Sequence, residues 1–188
     1  MRVSKRDELV QKALTIFYRD GYHKTGMDTL VKETGISKTS MYKHFRTKED
    51  LILATLRLRD EVFRNHFVRR VEELAKTPKD QLIAIFDVLR EWFVSDEFSG
   101  CMFVKASGEY PDASTPILSI AREHKKLLFN YTRSLAEAAN AKDPDLLAGQ
   151  LMILKEGATV LAHINGASTY SETAKQAAQA LIDSHLEK

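Results

Sequence analysis

The sequence has little of three features that would place it in well-known classes of protein. Its 188 residues include one cysteine, Cys101, which excludes an intrachain disulfide and any zinc site with several cysteine ligands. It contains no uninterrupted apolar run of about 18 residues, so we expect no membrane-spanning helix. Its first residues also lack the apolar stretch and the cleavage site of a secretory signal peptide. We therefore expect a cytoplasmic protein, in which a lone thiol stays reduced.

Net charge of one sign is also nearly absent, since 28 Lys and Arg residues stand against 26 Asp and Glu residues. Taken as a whole, this charge of +2 gives little reason to expect a nucleic-acid partner. The charge is unevenly distributed, however, because residues 1–50 carry +4 and residues 51–188 carry −2. A basic first part joined to a slightly acidic second part predicts two domains with different partners, residues 1–50 and residues 51–188.

Proline is scarce as well, with four in the chain and none in the first 77 residues, and the apolar residues follow a helical period almost throughout. Leu9, Ala13 and Phe17 fall on one face of a helix, which is predicted over residues 4–20. Gly21 is a suitable end for that helix. The same spacing predicts further helices over residues 27–34, 38–45 and 48–74.

Three later helices are predicted to begin with an N-cap residue followed directly by proline. These pairs are Thr77-Pro78, Thr115-Pro116 and Asp143-Pro144. Ser171 is a suitable N-cap for a last helix, and Gly166 a suitable C-cap for the one before it. The best strand candidate is residues 101–104, which are too few to distinguish from a helical turn. The sequence therefore predicts an all-α protein of about nine helices.

The segment MDTLVKETGISKTSMYKHF has the pattern of a helix-turn-helix, in which a turn containing glycine joins two short helices. Gly35 lies where the chain must reverse, a position that favours the positive φ angle most accessible to glycine. Leu30, Ile36 and Met41 supply a small apolar interface between the two helices. The outer face of the second helix is polar, which suits insertion into the major groove of DNA.

Side chains on and beside this second helix suit DNA chemically, because lysines neutralise phosphates and hydroxyl or imidazole groups donate hydrogen bonds to phosphate oxygens. We expect phosphate contacts from Lys38, Ser40, Tyr42, Lys43, His44 and Lys48. We expect base contacts from Thr39, Ser40 and Lys43. The helix that begins at Lys48 also presents amides that favour a phosphate. The pattern alone leaves a helical protein without DNA-binding activity open as the alternative.

Residues 5–52 resemble the DNA-binding domain of TetR-type (TetR/AcrR) transcriptional regulators. The most specific part of this resemblance is the run Tyr-x-His-Phe-x-x-Lys-x-x-Leu, from Tyr42 to Leu51. Other matching residues are Ala13, Phe17, Gly21, Tyr22, Thr25 and the run from Thr34 to Lys38. The resemblance implies a homodimer with an N-terminal three-helix helix-turn-helix DNA-binding domain and a C-terminal helical domain for ligand binding and dimerisation. It also implies transcriptional repression that a small molecule releases.

The sequence departs from this family pattern at three positions. Val31 and Thr34 stand where the family often has alanine, so we expect the two short helices to pack slightly further apart. Gly26 stands where a Ser or Thr N-cap is usual, which removes one possible phosphate contact. We expect Thr25 to cap that helix instead and to contact DNA.

The segment FSGCMFVKASGEYPDASTP resembles a linker-and-helix region of one subset of these regulators, in which a Gly-Cys pair precedes a short helix and an acidic residue. Cys101 has two interpretations here. It is either a small buried residue, as free cysteines often are, or a sensor of oxidants or electrophiles. For the sensor, Lys105 lies four residues further on and is expected to favour the thiolate.

Candidate effector-binding residues are apolar or aromatic side chains with a few polar groups among them. They are Trp92, Phe93, Cys101, Phe103, Phe129 and His163, with plain core packing as the alternative for each. The histidines form no His-x-x-x-His pair, so no metal site is expected. We also expect no cofactor and no enzyme activity, because the sequence has no phosphate-binding glycine loop, Gly-x-Ser-x-Gly elbow or His-Glu-x-x-His motif.

The last two predicted helices, residues 144–167 and 171–186, are rich in small and aliphatic side chains. These residues are Ala148, Leu151, Gly157, Ala158, Leu161, Ala174, Ala178 and Leu181. They predict a four-helix dimer interface, with intrachain core as the alternative. The sequence as a whole predicts a repressor that binds a near-palindromic operator as a dimer and is released by a small-molecule effector or by thiol modification. The alternatives are a helical enzyme or a protein-interaction module, and an activator or a constitutive architectural DNA-binding protein.

Overall fold

Nine α-helices and no β-strands make up the part of the chain that this computed structural model describes, residues 4–166 and 169–186. In chain order the helices are α1 (Lys5–Asp20), α2 (Met27–Thr34), α3 (Lys38–His44), α4 (Lys48–Leu74), α5 (Pro78–Phe93), α6 (Met102–Glu109), α7 (Pro116–Ala138), α8 (Pro144–Asn165) and α9 (Thr169–Leu186). The predicted all-α class and the number of helices are confirmed. None of the helices in these ranges is long and apolar enough to cross a membrane.

Side-chain caps begin most of the helices at the positions that the sequence predicts. The hydroxyl of Thr77 accepts from the Asp80 amide at 3.2 Å, and the carboxylate of Asp143 accepts from the Leu146 amide at 2.9 Å. At Thr115 the hydroxyl accepts from the Leu118 amide at 3.2 Å, so all three predicted cap–proline starts are confirmed. Each of these bonds satisfies an amide that has no partner within its own helix.

Glycines with positive φ end α1, α2 and α8, as the sequence predicts. Gly35 is left-handed at φ +70°, and its amide donates to the Val31 carbonyl at 3.1 Å. Gly166 ends α8 in the same conformation, while the last residue predicted for that helix, Ala167, lies outside the described residues. One expectation is wrong: Ser171 is not an N-cap, because α9 begins at Thr169 and Ser171 is buried within it. Residues 101–104, which the sequence could not distinguish from a helical turn, lead into α6, which begins at Met102.

The chain forms two compact units, and α4 and α7 each contribute residues to both. The first unit runs to Phe63 and also includes Met102–His124. Its core is built from fully buried side chains of α1 to α4 and the α1–α2 loop: Leu9, Phe17, Tyr22, Leu30, Met41, Leu51, Ile52 and Leu56. This unit therefore contains α6 in addition to the segment with the helix-turn-helix pattern. The functional boundary between residues 50 and 51 stays a prediction.

The second unit comprises Arg64–Cys101 and the chain from Lys125 onward, with α5, α8 and α9 packed together. Its buried side chains include Leu82, Ile85, Phe86, Leu89, Leu147, Leu151, Ala178 and Ile182. Ion pairs join α5 to α9, between Lys175 and Asp87 at 2.7 Å and between Lys79 and Asp183 at 2.7 Å. Small residues on α8 and α9 allow the two helices to approach closely.

Candidate nucleic-acid interface

The turn between α2 and α3 is fixed by short-range hydrogen bonds on top of the apolar contact that the sequence predicts. Leu30 and Met41 are buried, and the left-handed Gly35 reverses the chain between them. Thr34 is buried too, and its hydroxyl donates to the Leu30 carbonyl at 2.6 Å and accepts from the Ile36 amide at 3.1 Å. A hydroxyl at this position, where alanine is usual, therefore adds two hydrogen bonds to the turn.

With the inner side of α3 fixed by Met41, the rest of this helix faces solvent. Its N-cap Ser37 accepts from the amide of Ser40 at 3.3 Å. The exposed residues are five of the predicted DNA contacts, Lys38, Thr39, Tyr42, Lys43 and His44, while Ser40 is half-buried. Tyr42 is 46% exposed, so its ring and hydroxyl are accessible on this face. The result is one continuous face of cationic and hydrogen-bonding side chains.

Two of the lysines predicted to contact phosphates already contact other groups of the first unit. Lys38 forms an exposed ion pair with Asp28 at 3.0 Å, and this hydrogen bond raises the pKa of Lys38. Such an exposed pair contributes little free energy and leaves the ammonium available to a phosphate. Lys48, half-buried in the first turn of α4, donates to the Tyr22 carbonyl at 3.2 Å. This hydrogen bond orients the Lys48 ammonium and uses one of its three N–H donors, so two remain for a phosphate.

The N-terminus of α4 is less open to a phosphate than the sequence predicts. Thr47 and Asp50 form a reciprocal capping pair, in which the Asp50 amide donates to the Thr47 hydroxyl at 3.0 Å and the Thr47 amide donates to the Asp50 carboxylate at 3.1 Å. This pairing stabilises the start of the helix. It also uses two amides and places a negative charge there, so Lys48 rather than the helix terminus is the group that suits a phosphate.

The expected role of Thr25 as a cap for α2 is wrong. Its side chain is 1% exposed, and its hydroxyl donates to the Gly21 carbonyl at 2.7 Å. The N-cap of α2 is Gly26, which makes no side-chain hydrogen bond. Because the Thr25 hydroxyl lies in the interior, we leave it out of the proposed DNA interface.

Sequence reasoning missed two residues, one that follows this face directly and one that holds the loop between α1 and α2. Arg46 is exposed and follows α3 directly, inside the most specific run of the family resemblance, where it could have been found. Glu109, at the end of α6, accepts hydrogen bonds from the amides of Tyr22 and His23. The local sequence around Glu109 gives no sign of these hydrogen bonds, because Tyr22 and His23 lie 87 and 86 residues away.

The cation beside Cys101 is Lys125 and not Lys105, so the sequence expectation is wrong about the neighbour. Lys125 Nζ lies 3.5 Å from Cys101 Sγ, while Lys105 Nζ donates to the Tyr18 carbonyl at 2.7 Å. Cys101 is half-buried, so its burial does not decide between a buried core residue and an accessible sensor. Lys125 also pairs with Glu156 at 2.6 Å, and that carboxylate pairs with Lys155 at 2.5 Å.

Burial and charge act against each other in this cluster of Cys101, Lys125, Lys155 and Glu156. Lys155 is 6% exposed, and burial lowers its pKa. Burial raises the pKa of Glu156, but the ammonium groups of Lys155 and Lys125 outweigh this effect and lower it to about 2. Burial lowers the pKa of Lys125, and the neighbouring Cys101 and Glu156 more than reverse that change. The cluster thus keeps a charged ammonium next to the thiol.

Three of the six candidate effector residues come together around Phe98 in the second unit. The ring of Phe98 lies 5.0 Å from Trp92, 5.0 Å from Phe93 and 6.2 Å from His163, measured between ring centroids. A Cβ at Gly100 would lie 2.8 Å from the His163 ring, so the chain before Cys101 also passes close to this histidine. These aromatic side chains form one apolar cluster beside the cysteine.

The other candidates lie elsewhere. Phe103 belongs to the first unit, where its buried ring stacks on His124 at 3.7 Å. His124 is itself buried and lies 2.7 Å from the carboxylate of Asp60, so it is a satisfied core histidine. Phe129 is half-buried in α7. In the described ranges, no group of three His, Cys, Asp or Glu side chains is placed to hold a metal ion.

The outer face of α8 carries a stripe of exposed apolar residues, with two glycines of the same helix in open space. The exposed side chains are Leu146, Ile153, Val160, Leu161 and Ile164, and the glycines are Gly149 and Gly157. Ile153 is 74% exposed and Ile164 is 70% exposed. Other residues predicted for a dimer interface are buried within the chain: Ala148, Leu151, Ala158, Ala174 and Ala178. The inner face of α8 is therefore intrachain core, and the outer face is uncovered.

Comparison with known proteins places this arrangement among bacterial regulators. Residues 9–55 match the family described as bacterial regulatory proteins, tetR family. A TetR-family transcriptional regulator of Streptomyces coelicolor superimposes with a TM-score of 0.91, at 26% identity, over 97% of this chain and 90% of that chain. A TetR transcriptional regulator structure from Streptomyces avermitilis has a TM-score of 0.78 and 30% identity, covering 94% of this chain and 98% of that one. The HTH-type transcriptional regulator YjdC of Escherichia coli is 21% identical over 178 residues, which are 95% of this chain and 93% of YjdC.

Proposed function

Because this chain belongs to the TetR family and is a DNA-binding transcriptional regulator, we propose that it is a repressor that binds a near-palindromic operator as a dimer and is released by an effector. The observation that carries this proposal is the solvent-facing polar side of α3, held by a buried Met41 and a left-handed Gly35. Such a helix enters the major groove with its first residues at the base edges.

In the proposed interface, Thr39, Ser40 and Lys43 contact bases, and Lys38, Tyr42, His44 and Lys48 contact phosphates. Phosphate contacts fix the orientation of the helix, and base contacts select the sequence. Arg46 is added to the phosphate contacts because it is exposed directly after α3. Two such helices in a dimer would lie in successive major grooves, about 34–36 Å apart.

The dimer that we propose is formed by α8 and α9 of two copies of the chain, packed as four helices. The exposed stripe on α8 supports a second copy as its partner, because apolar side chains and open glycines alternate along a single face. Glycines allow two helices to approach closely, and the same face on both subunits can meet across a two-fold axis. A two-fold dimer also matches the symmetry of a palindromic operator.

The effector is proposed to act on the second unit by one of two routes. A small apolar molecule would contact the cluster around Phe98, which contains Trp92, Phe93 and His163. Alternatively, modification of the Cys101 thiol would disturb its contact with Lys125, which lies beside the buried Lys155–Glu156 pair. Either event releases DNA if it stabilises a conformation in which the two recognition helices no longer match the operator spacing.

Selection from a pool of random duplex DNA tests this function. We expect enrichment of one near-palindrome with half-sites about one helical turn apart. A gel shift then compares this duplex with a scrambled duplex of the same composition, and a reporter gene behind the duplex gives the sign of regulation. Failure to enrich any sequence would contradict operator binding, and activation of the reporter would contradict repression.

A further inference from the structure

A carboxylate at the end of α6 holds the loop between α1 and α2 by its backbone. One oxygen of Glu109 accepts from the Tyr22 amide at 2.9 Å, and the other accepts from the His23 amide at 2.5 Å. The second oxygen also lies 3.1 Å from the Tyr22 amide. Hydrogen bonds to a charged acceptor are stronger than those between neutral groups. The loop is thus attached to α6 through two consecutive amides.

Further contacts fix the same attachment. The imidazole Nε2 of His23 lies 2.7 Å from the Glu109 carbonyl, and since a carbonyl only accepts, this nitrogen carries the proton. The His23 ring stacks on Tyr110 with 4.7 Å between centroids. The Tyr22 hydroxyl donates to the Met102 carbonyl at the other end of α6, at 3.0 Å. The loop is therefore held at both ends of this two-turn helix.

Gly21 makes the close approach of Glu109 possible. A Cβ at this position would lie 2.9 Å from Glu109 Oε1, closer than carbon and oxygen atoms tolerate. The residue also has φ +86°, a conformation that side-chain-bearing residues rarely adopt. The absence of a side chain at Gly21 thus serves both the end of α1 and the contact with α6.

The held loop in turn orients a lysine of the proposed DNA interface. The carbonyl of Tyr22, which belongs to the same peptide group as the His23 amide that Glu109 holds, accepts from Lys48 Nζ at 3.2 Å. A lysine side chain has many rotamers, and fixing its ammonium before binding lowers the entropic cost of a phosphate contact. Displacement of the Tyr22 peptide would break this hydrogen bond and leave the Lys48 side chain without a fixed orientation.

We propose that Glu109 is a positioning residue for operator binding, which acts through the Tyr22 peptide to orient Lys48 toward a phosphate. This inference depends on the proposed DNA-binding face and adds to it a residue that touches no DNA. It assigns α6 the role of keeping one phosphate contact in place.

The variant Glu109→Gln tests this proposal because glutamine keeps the size of the side chain but has a single acceptor oxygen. Its matched control is Glu123→Gln, the same loss of charge at an exposed position of α7 in the same unit. We expect Glu109→Gln to weaken binding of the selected duplex about tenfold and to reduce the salt dependence by about one phosphate contact. The control is expected to bind as the unaltered protein does.

A double-mutant cycle with Lys48→Met separates positioning from general loosening of the fold. If Glu109 acts through Lys48, Glu109→Gln has no further effect on affinity once Lys48 is methionine. Equal losses in both backgrounds would overturn the proposal. So would unchanged affinity of Glu109→Gln in a protein whose unaltered form binds the duplex, whereas failure of the unaltered form to bind would contradict the proposed function itself.

Amide hydrogen exchange of the free protein tests the attachment without DNA. We expect the Tyr22 and His23 amides to exchange more slowly in the unaltered protein than in Glu109→Gln, and unchanged exchange would overturn the proposal. Should Glu109→Gln fail to fold, His23→Ala replaces it in both measurements, because it removes only the contacts of an exposed side chain, the hydrogen bond to the Glu109 carbonyl and the stack on Tyr110. For His23→Ala we expect about threefold weaker binding, and no change would overturn the proposal.

Discussion

Among single residues, Lys43 is the side chain on which the proposed operator interface depends most. It lies in the middle of the exposed face of α3, and its side chain is predicted to contact both a base and a phosphate. An exposed lysine without a structural role can be truncated without disturbing the core. Its removal therefore tests DNA contact and little else.

We expect Lys43→Ala to weaken operator binding by about 1–2 kcal/mol and to lower the salt dependence by about one phosphate contact. Its thermal midpoint should stay that of the unaltered protein. Lys126→Ala is the matched control, since it removes an exposed lysine from the part of α7 that belongs to the second unit. Salt titrations of operator affinity give both quantities, and an unchanged slope for Lys43→Ala would show that the contact is assigned wrongly.

Cys101 is the residue that separates the two proposed routes of release. Lys125 Nζ lies 3.5 Å from the sulfur, and thiols beside a cation react readily with oxidants and electrophiles. We expect N-ethylmaleimide or hydrogen peroxide to release the unaltered protein from its operator and to leave Cys101→Ser bound. Gel shifts before and after treatment measure this release. Equal release of the two proteins would remove the thiol route.

A variant of the neighbouring Lys125 tests whether this cation affects the reaction rate of the thiol. Lys125→Met removes the cation and keeps the length of the side chain, so we expect alkylation of Cys101 at neutral pH to become about three- to tenfold slower. The rate is followed by mass spectrometry. An unchanged rate would mean that Lys125 does not activate the thiol, even if modification does release DNA.

At the scale of a helix, α2 lacks the side-chain cap that its neighbours α1 and α3 have. Ser4 caps α1 and Ser37 caps α3 through their hydroxyls, whereas Gly26 offers α2 no hydrogen bond. Gly26 has φ −79° and ψ 166°, the extended conformation of an ordinary N-cap, and a Cβ there would have nothing within 4 Å. A serine is therefore compatible with this position.

We expect Gly26→Ser to stabilise the protein by a few tenths of a kcal/mol, because its hydroxyl can accept from an amide of the first turn of α2. We also expect about threefold tighter operator binding, since the hydroxyl can donate to a phosphate. Gly26→Ala is the control, as it fills the same space without a hydroxyl and removes the favourable glycine cap. Chemical denaturation and gel shifts measure the two effects, and identical affinities for the serine and alanine variants would contradict the phosphate contact.

The helices could be predicted from the sequence because their start and end signals are local. Thr77-Pro78 and Gly35 act on amides and carbonyls a few residues away, so their effect follows from the order of residues. The outward face of α3 follows in the same way, since Met41 fixes which side is buried. The prediction of Ser171 as a cap is wrong because α9 begins two residues earlier, at Thr169.

Contacts between distant parts of the chain could not be predicted. The neighbour of Cys101 is Lys125, 24 residues away, and the lysine four residues away is held by Tyr18 instead. Glu109 reaches an amide 87 residues earlier in the chain. Such pairs depend on how helices pack, and the helical period of one segment carries no information about its partner.

For the whole molecule, the proposed function requires two copies of the chain, and the outer face of α8 is where they are proposed to meet. Ile153 lies in the middle of the exposed stripe, between Gly149 and Gly157. In a two-fold interface each such side chain is buried twice, once from each subunit. Burial of one isoleucine contributes roughly 1.5–3 kcal/mol, so the pair contributes enough to decide the oligomeric state.

We expect Ile153→Lys to raise the dimer dissociation constant at least about a hundredfold, since it removes two apolar contacts and places two like charges at the axis. Operator affinity should then fall by about a hundredfold or more, because each half-site is bound without the second to hold it nearby. Val62→Lys is the matched control, an apolar residue of α4 that is 54% exposed. Sedimentation at micromolar concentration distinguishes the outcomes. If the unaltered protein is a monomer, the proposed interface is wrong. If Ile153→Lys remains a dimer, the subunits meet through another surface, and the spacing of the two recognition helices has to be derived from that surface instead.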